Sequence, residues 1–216
     1  MDATVRGSIP VILRNDHGLY QSTLVHYFRV IVHNAGNLSH PYHNFRHMFH
    51  VTWLCHEACL YYRDVLTPRQ MRNLLVAALF HDYDHSGKTG PDQHNIDRAI
   101  AGLRTHHAPE DAEYLSEIEA LIRATHFPYN IPVEELDLCG KIIRDADMGQ
   151  AFSVAWIQQV VIGLGVEWGK SVREVLDIQP KFLANLTFYT EWGRRMFPRK
   201  DIDAKIAEAR ELAALL

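Results

Sequence analysis

The sequence predicts an all-α protein, a compact single-domain helical bundle, and three observations carry that reading. Apolar residues recur at three- and four-residue steps through most of the chain. One segment shows a complete helix-start signal, and the best strand candidate, Val160-Val161-Ile162, is too short and too embedded to argue for a sheet. The 216 residues, 47% apolar and 22% charged, suffice for one well-filled core and do not require two. No repeat, low-complexity tract or linker divides them. One domain over 1–216 follows, with an N-terminal helical region at 1–39, a motif-bearing region at 40–198 and a C-terminal helix at 201–216.

In order along the chain, 22–36 carries Leu24, Val25, Phe28, Ile31 and Val32 on one helical stripe. A second helix over 44–65 presents Met48, Val51, Leu54, Cys55, Ala58, Cys59 and Tyr62. A third starts with Thr67 as cap, Pro68 at the first helical position and Gln70 completing a capping box. It runs through LLVAALF to end near Asp82, and being apolar nearly all round it should be central and buried. A polar loop rich in Gly, Asp and Ser follows. Further helices are predicted at 95–105, 109–124, 132–147, 151–164, 172–197 and 201–216, the 172–197 helix kinking or breaking at Pro180. The last is amphipathic and suits packing on its own core; a homodimer stays open.

Composition also excludes functions. A net charge of -4 gives no basic footprint for a nucleic acid polymer. No apolar run approaches the ~20 residues of a membrane helix, and the broken N-terminal stretch does not read as a secretory signal. Three cysteines are too few for a disulfide framework, so a cytoplasmic location is expected. Cys55 and Cys59 read as buried small hydrophobes rather than zinc ligands. Gly163 and Gly165 do not form a phosphate loop, since no strand precedes them.

The chain holds 14 histidines, all between His17 and His126, and neutral imidazole is the commonest protein metal ligand. The pair His81-Asp82 directly follows the most hydrophobic helix, where an unpaired carboxylate would be costly without a counter-charge such as a metal ion. His85 comes four residues later, and a continued helical turn would place it on the face of His81. Upstream, PYHNFRHMFH offers His43, His47 and His50 at one- and two-turn spacing; downstream stand His126, Asp145 and Asp147. This imidazole–carboxylate mixture suits hard and borderline divalent metals.

These motifs, in this order, resemble the HD superfamily of metal-dependent phosphohydrolases, and in particular the class I cyclic-nucleotide phosphodiesterase catalytic domain. Tyr42-His43-Asn44-x-x-His47 matches that family's YHNxxH segment, and His81-Asp82-Tyr83-Asp84-His85-Ser86-Gly87 is similar to its HDxDHxG signature. His106-His107, Ala146-Asp147-Met148 and Gln179-x-x-Phe182 resemble its later elements. The resemblance implies an HD/phosphodiesterase-like bundle with two divalent ions (zinc, magnesium or manganese, with iron as the alternative). His47, His81, Asp82 and Asp147 would hold the first ion, and Asp82 would bridge to the second. Hydroxide between the ions would attack the phosphorus of a small-molecule phosphate ester, a 3',5'-cyclic nucleotide or a relative. His43 would protonate the leaving alkoxide, and His85 would orient water. Tyr42, Gln179 and Phe182 would contact the substrate, and Trp168 and Phe152 are candidates for lining a base pocket.

The chain departs from the family where Leu103-Arg104-Thr105-His106-His107 replaces a Leu-Glu-x-His-His pattern, and where His126 replaces an Asp. His106, His107 and His126 are therefore candidate ligands of the second ion. That arrangement would resemble the binuclear branch of the superfamily, which includes both cyclic dinucleotide phosphodiesterases and di-iron oxygenases. A domain retaining metal without catalysis is the third reading.

Overall fold

A computed structural model describes residues 10–216 and shows an all-helical fold, with no strand among the described residues. The first nine residues of the predicted N-terminal region lie outside the described part. The α-helices in chain order are α1 (Val11–Arg14), α2 (Val25–Asn34), α3 (Phe45–Tyr61), α4 (Pro68–Phe80), α5 (Gln93–His106), α6 (Leu115–Ala124), α7 (Leu138–Asp147), α8 (Gly163–Trp168), α9 (Val172–Asn185), α10 (Glu191–Met196) and α11 (Arg199–Ala214).

Helix α4 is the centre of the bundle. Its residues from Met71 to Phe80 are all buried, packed by α3, α6 and α7. Its start is the predicted capping box: Thr67 Oγ1 accepts from Gln70 N at 3.2 Å and Gln70 Oε1 accepts from Thr67 N at 2.9 Å. Two polar residues on this otherwise apolar helix need partners in the core. Arg72, fully buried, donates to both carboxylate oxygens of the equally buried Asp111 at 2.7 Å. Asn73 donates to Glu117 at 2.7 Å. Helix α11 lies against α9 and buries Ile202, Ile206, Ala209 and Ala213, so the amphipathic C-terminal helix packs on its own core.

The structure corrects several helix boundaries. The 172–197 helix runs through Pro180 and stops at Asn185, and α10 starts anew at Glu191. The break is set by Asp145 on α7, whose carboxylate accepts from Tyr189 N and Thr190 N at 2.8 Å each and from Thr190 Oγ1 at 2.7 Å. Thr190 in turn caps α10 by accepting from Gly193 N. The predicted 132–147 helix begins late, at Leu138, because Asp137 caps it through Gly140 N. The 151–164 helix is replaced by a 3-10 turn over Met148–Phe152, a π-helical turn over Ile157–Ile162, and α8. Among the described residues no single helix is long and apolar enough to cross a membrane.

Candidate metal and catalytic site

Three core helices deliver the metal-ligand candidates to one point. Asn44 caps α3 by accepting from Arg46 N and His47 N, which turns His47 inward on the first turn. His81 and Asp82 continue from the end of α4, and Asp147 is the last residue of α7. His47 Nε2 lies 3.1 Å from Asp147 Oδ1 and 3.3 Å from Asp82 Oδ2. His81 Nε2 lies 3.3 Å from His47 Nε2, 3.4 Å from Asp82 Oδ2 and 3.5 Å from Asp147 Oδ1.

These spacings fit a cation. Ligand atoms ~2.1 Å from one ion, at tetrahedral or octahedral angles, stand roughly 3.0–3.4 Å apart. The polar chemistry agrees. His81 Nδ1 lies 2.8 Å from the Ala78 carbonyl, which can only accept, so Nδ1 donates there and Nε2 is the atom turned to the cluster. Asp82 Oδ2 is buried without a hydrogen-bond donor. Burial alone would raise both carboxyls, yet His81 beside Asp82 holds it well below the usual range, and His47 and His81 beside Asp147 bring it to about 2. Burial likewise pulls His81 down, but Asp82 and Asp147 outweigh it and hold it well above the ordinary value. His47, His81 and Asp82, with ligand atoms within 4.8 Å of one another, and Asp147 beside both histidines thus make a site that favours positive charge.

His43 and His85 stand beside this cluster, ring on ring, with centroids 3.7 Å apart. They are set differently. Glu167 on α8 accepts from His43 Nδ1 at 2.5 Å, and its other oxygen accepts from Tyr42 N and His43 N at 2.7 and 2.9 Å. Burial lowers His43's hold on its proton, but Glu167, with Asp82 and Asp147 behind it, raises the pKa above the usual histidine value. His85 is pushed down to about 4, chiefly by burial, so its ring is neutral. Its Nδ1 accepts from Gly87 N at 3.0 Å, which leaves the proton on Nε2. His85 reaches this position differently from the sequence expectation: Asp84 adopts φ +58° and ends the helical course, so no continued turn aligns His85 with His81.

The four ligand candidates, His43 and His85 line one cavity of about 380 Å³, within the range of small-molecule sites. Tyr42, Gln179, Phe182 and Trp168 line it as well, Gln179 being almost wholly buried. Phe152 does not; it faces a larger groove of about 900 Å³ that contains none of the four ligand candidates. The candidate second-ion histidines are also elsewhere. His107 Nδ1 and His126 Nδ1 bond to the backbone carbonyls of Arg104 and Pro128, and the His106 ring lies against Tyr83. None of the three lines the cavity, and Thr125, the neighbour of His126, does so instead. Arg104, at the position where the family carries Glu, pairs with Glu119 at 2.6 Å.

Sequence reasoning missed Glu167. Its one local signal is a carboxylate within the otherwise apolar run Leu164-Gly165-Val166-Glu167-Trp168. Its placement needs Gly163, where a Cβ would come within 2.8 Å of the Pro41 carbonyl oxygen. A glycine there lets α8 approach the backbone of Pro41 and Tyr42. Asp92, at the N-cap position of α5, makes no cap bond to that helix; its carboxylate accepts from Phe127 N and Asn95 Nδ2 at 2.8 and 3.2 Å.

The all-helical bundle thus brings a buried His/Asp cluster to the wall of a small-molecule cavity. Residues 42–111 match the family model of the 3'5'-cyclic nucleotide phosphodiesterases, and the chain resembles their catalytic domain. The matched stretch contains Tyr42, His43, His47, His81, Asp82 and His85, whereas Asp147, Glu167, Gln179 and Phe182 lie beyond it. No curated protein matches the chain.

Proposed function

We propose that this chain is a metal-dependent phosphodiesterase acting on a small phosphodiester, a 3',5'-cyclic nucleotide or a relative. The observation that carries the reading is the convergence of His47, His81, Asp82 and Asp147 at ligand spacing, beside a histidine held by a carboxylate on the wall of the same cavity. Divalent ions bound there, one by all four residues and a second sharing Asp82, would supply activated water and neutralise charge on the phosphoryl oxygens.

The chain's own residues do the rest. Glu167 fixes His43 through Nδ1 and favours the imidazolium, so Nε2 carries a proton for the departing alkoxide. Neutral His85 keeps an N–H available beside it for a water or a phosphoryl oxygen. Gln179 and Phe182 offer an amide and an aromatic edge to the organic part of the substrate, with Trp168 on the same wall. The oxygenase alternative loses the histidines that motivated it, because His106, His107 and His126 lie off the cavity.

The test is hydrolysis of cyclic AMP and bis(p-nitrophenyl) phosphate by purified protein supplied with Mg²⁺, Mn²⁺ or Zn²⁺. Activity should vanish on chelation and return with metal. Failure to hydrolyse either compound with any of the three ions refutes the proposal.

A further inference from the structure

A second hollow of about 510 Å³ adjoins the reaction cavity and shares His85, Lys88, Thr89, Gly90 and Asn95 with it. Its other walls include His40, His94 and Arg98, and no carboxylate lines it, in a chain whose net charge is -4. The nearest acids are already engaged. Asp84 Oδ1 accepts from Gly36 N at 2.5 Å, and both oxygens of Asp92 accept from Phe127 and Asn95. The loop carrying Lys88 is held in place rather than hanging free. Ser86 N donates to the buried Asn95 Oδ1 at 3.0 Å, Gly87 N to His85, and Lys88 N to Ser86 Oγ at 3.3 Å. Gly87, at φ +66°, lies against the His40 ring, which a Cβ would approach to 3.0 Å.

The fold adds positive potential of its own. Helix α5, 14 residues long, begins at this hollow, and His94 and Asn95 of its first turn form part of the wall. No side chain caps it, and its first turn brings the positive end of the helix dipole beside the lining that holds Lys88 and Arg98. Lys88, Arg98, two histidines and the start of α5, with no carboxylate in the lining and Asp92 at the helix start turned to Phe127 and Asn95, make an anion site. It is joined to the reaction cavity through the wall formed by His85 and Lys88.

We propose that this hollow receives a second phosphate group of the substrate. The substrate class is then a nucleotide ester with a second, terminal phosphate, such as a 5'-phosphorylated dinucleotide, in preference to a cyclic mononucleotide. The inference rests on the phosphodiesterase reading, and two measurements separate them.

The first is binding, in the presence of Mn²⁺, of adenosine 3',5'-bisphosphate against adenosine 3'- and 5'-monophosphates. None of these contains a diester to be cleaved. The bisphosphate should bind at least ~10-fold tighter than either monophosphate, as expected for one added charge-assisted phosphate contact. Lys88→Gln, an exposed position, should remove most of that advantage, and inorganic phosphate should compete with it. Equal affinity for the bisphosphate and the monophosphates, or an advantage untouched in Lys88→Gln and in Arg98→Gln, overturns the proposal. So does inorganic phosphate binding that leaves the bisphosphate without an advantage. The second measurement compares kcat/KM for a dinucleotide with and without a 5'-terminal phosphate. A bisphosphate advantage without hydrolysis of either dinucleotide would keep the anion site and sink the phosphodiesterase reading. Equal kcat/KM for both dinucleotides, with equal affinities above, would do the reverse.

Discussion

Replacing Glu167 by Gln tests how the proton donor is armed. The Glu167 side chain is 2% exposed, and one of its oxygens takes the two backbone bonds from Tyr42 N and His43 N that a glutamine carbonyl can keep. The other oxygen accepts from His43 Nδ1 at 2.5 Å, and there the substitution puts an amide donor. His43 then has to accept at Nδ1 and becomes neutral, still with its proton on Nε2 but a weaker acid. A charge-assisted bond of this kind contributes about 1.5–3 kcal/mol, and at ~1.36 kcal/mol per tenfold the expected fall in kcat is roughly 10- to 150-fold. The assay pairs cyclic AMP, whose alkoxide must be protonated, with bis(p-nitrophenyl) phosphate, whose phenolate leaves unaided. The loss should fall on the first and spare the second. The pH profile gives the sign. His43 works protonated, so its contribution is complete below its pKa and lost as pH rises through it. Glu167 helps hold that pKa above the usual histidine value, and removing the carboxylate should move the alkaline limb to lower pH. Equal losses on the two substrates, or an unmoved limb, would refute the assignment.

Asp147→Ala should abolish metal retention, read by elemental analysis after gel filtration, because it removes the carboxylate nearest His47; a full metal complement in the variant would contradict the ligand assignment. Asp111→Asn should cost about 3–5 kcal/mol and lower Tm by ~10 °C, since it leaves buried Arg72 without its bidentate partner. Burial alone would raise the Asp111 pKa, but Arg72, Tyr27 and Arg69 bring it below the usual value. Its stabilisation is therefore full above the unfolded pKa of ~3.9 and lost as pH falls through the folded one, a dependence that acid unfolding curves should show shrinking in the variant. Gly163→Ala should lower activity on both substrates by displacing α8 from Pro41, with circular dichroism still helical; wild-type rates would show that this close approach is dispensable.

Much of this site is legible in the sequence because its ligands sit where local rules place them. Thr67, Pro68 and Gln70 fix the start of α4, so its length puts His81-Asp82 at the end of a buried helix. Asn44 does the same for His47. Long-range bonds are where local reading fails. Nothing near Pro180 reveals that the chain leaves the helix at 186 to reach Asp145 on another helix. Glu167 is invisible for the same reason: its partners Tyr42 and His43 are more than a hundred positions earlier in the chain. Asp84, in the polar loop after α4, accepts from Gly36 N and adopts a left-handed conformation that redirects His85. Periodicity cannot register any of these contacts.

The Glu167–His43 bond also ties together two parts of the molecule with different duties. The His/Asp cluster is built from the ends of core helices, whereas α8 and α9 form a wall whose Trp168, Gln179 and Phe182 line the cavity. Because Glu167 rides on that wall, a substrate that forced the wall outward would also pull the carboxylate away from the histidine. Under the proposed function this makes an interlock, in which an ill-fitting ligand would disarm the proton donor by the same displacement that admits it. Widening the pocket by substitutions in α8 would then sacrifice turnover along with selectivity.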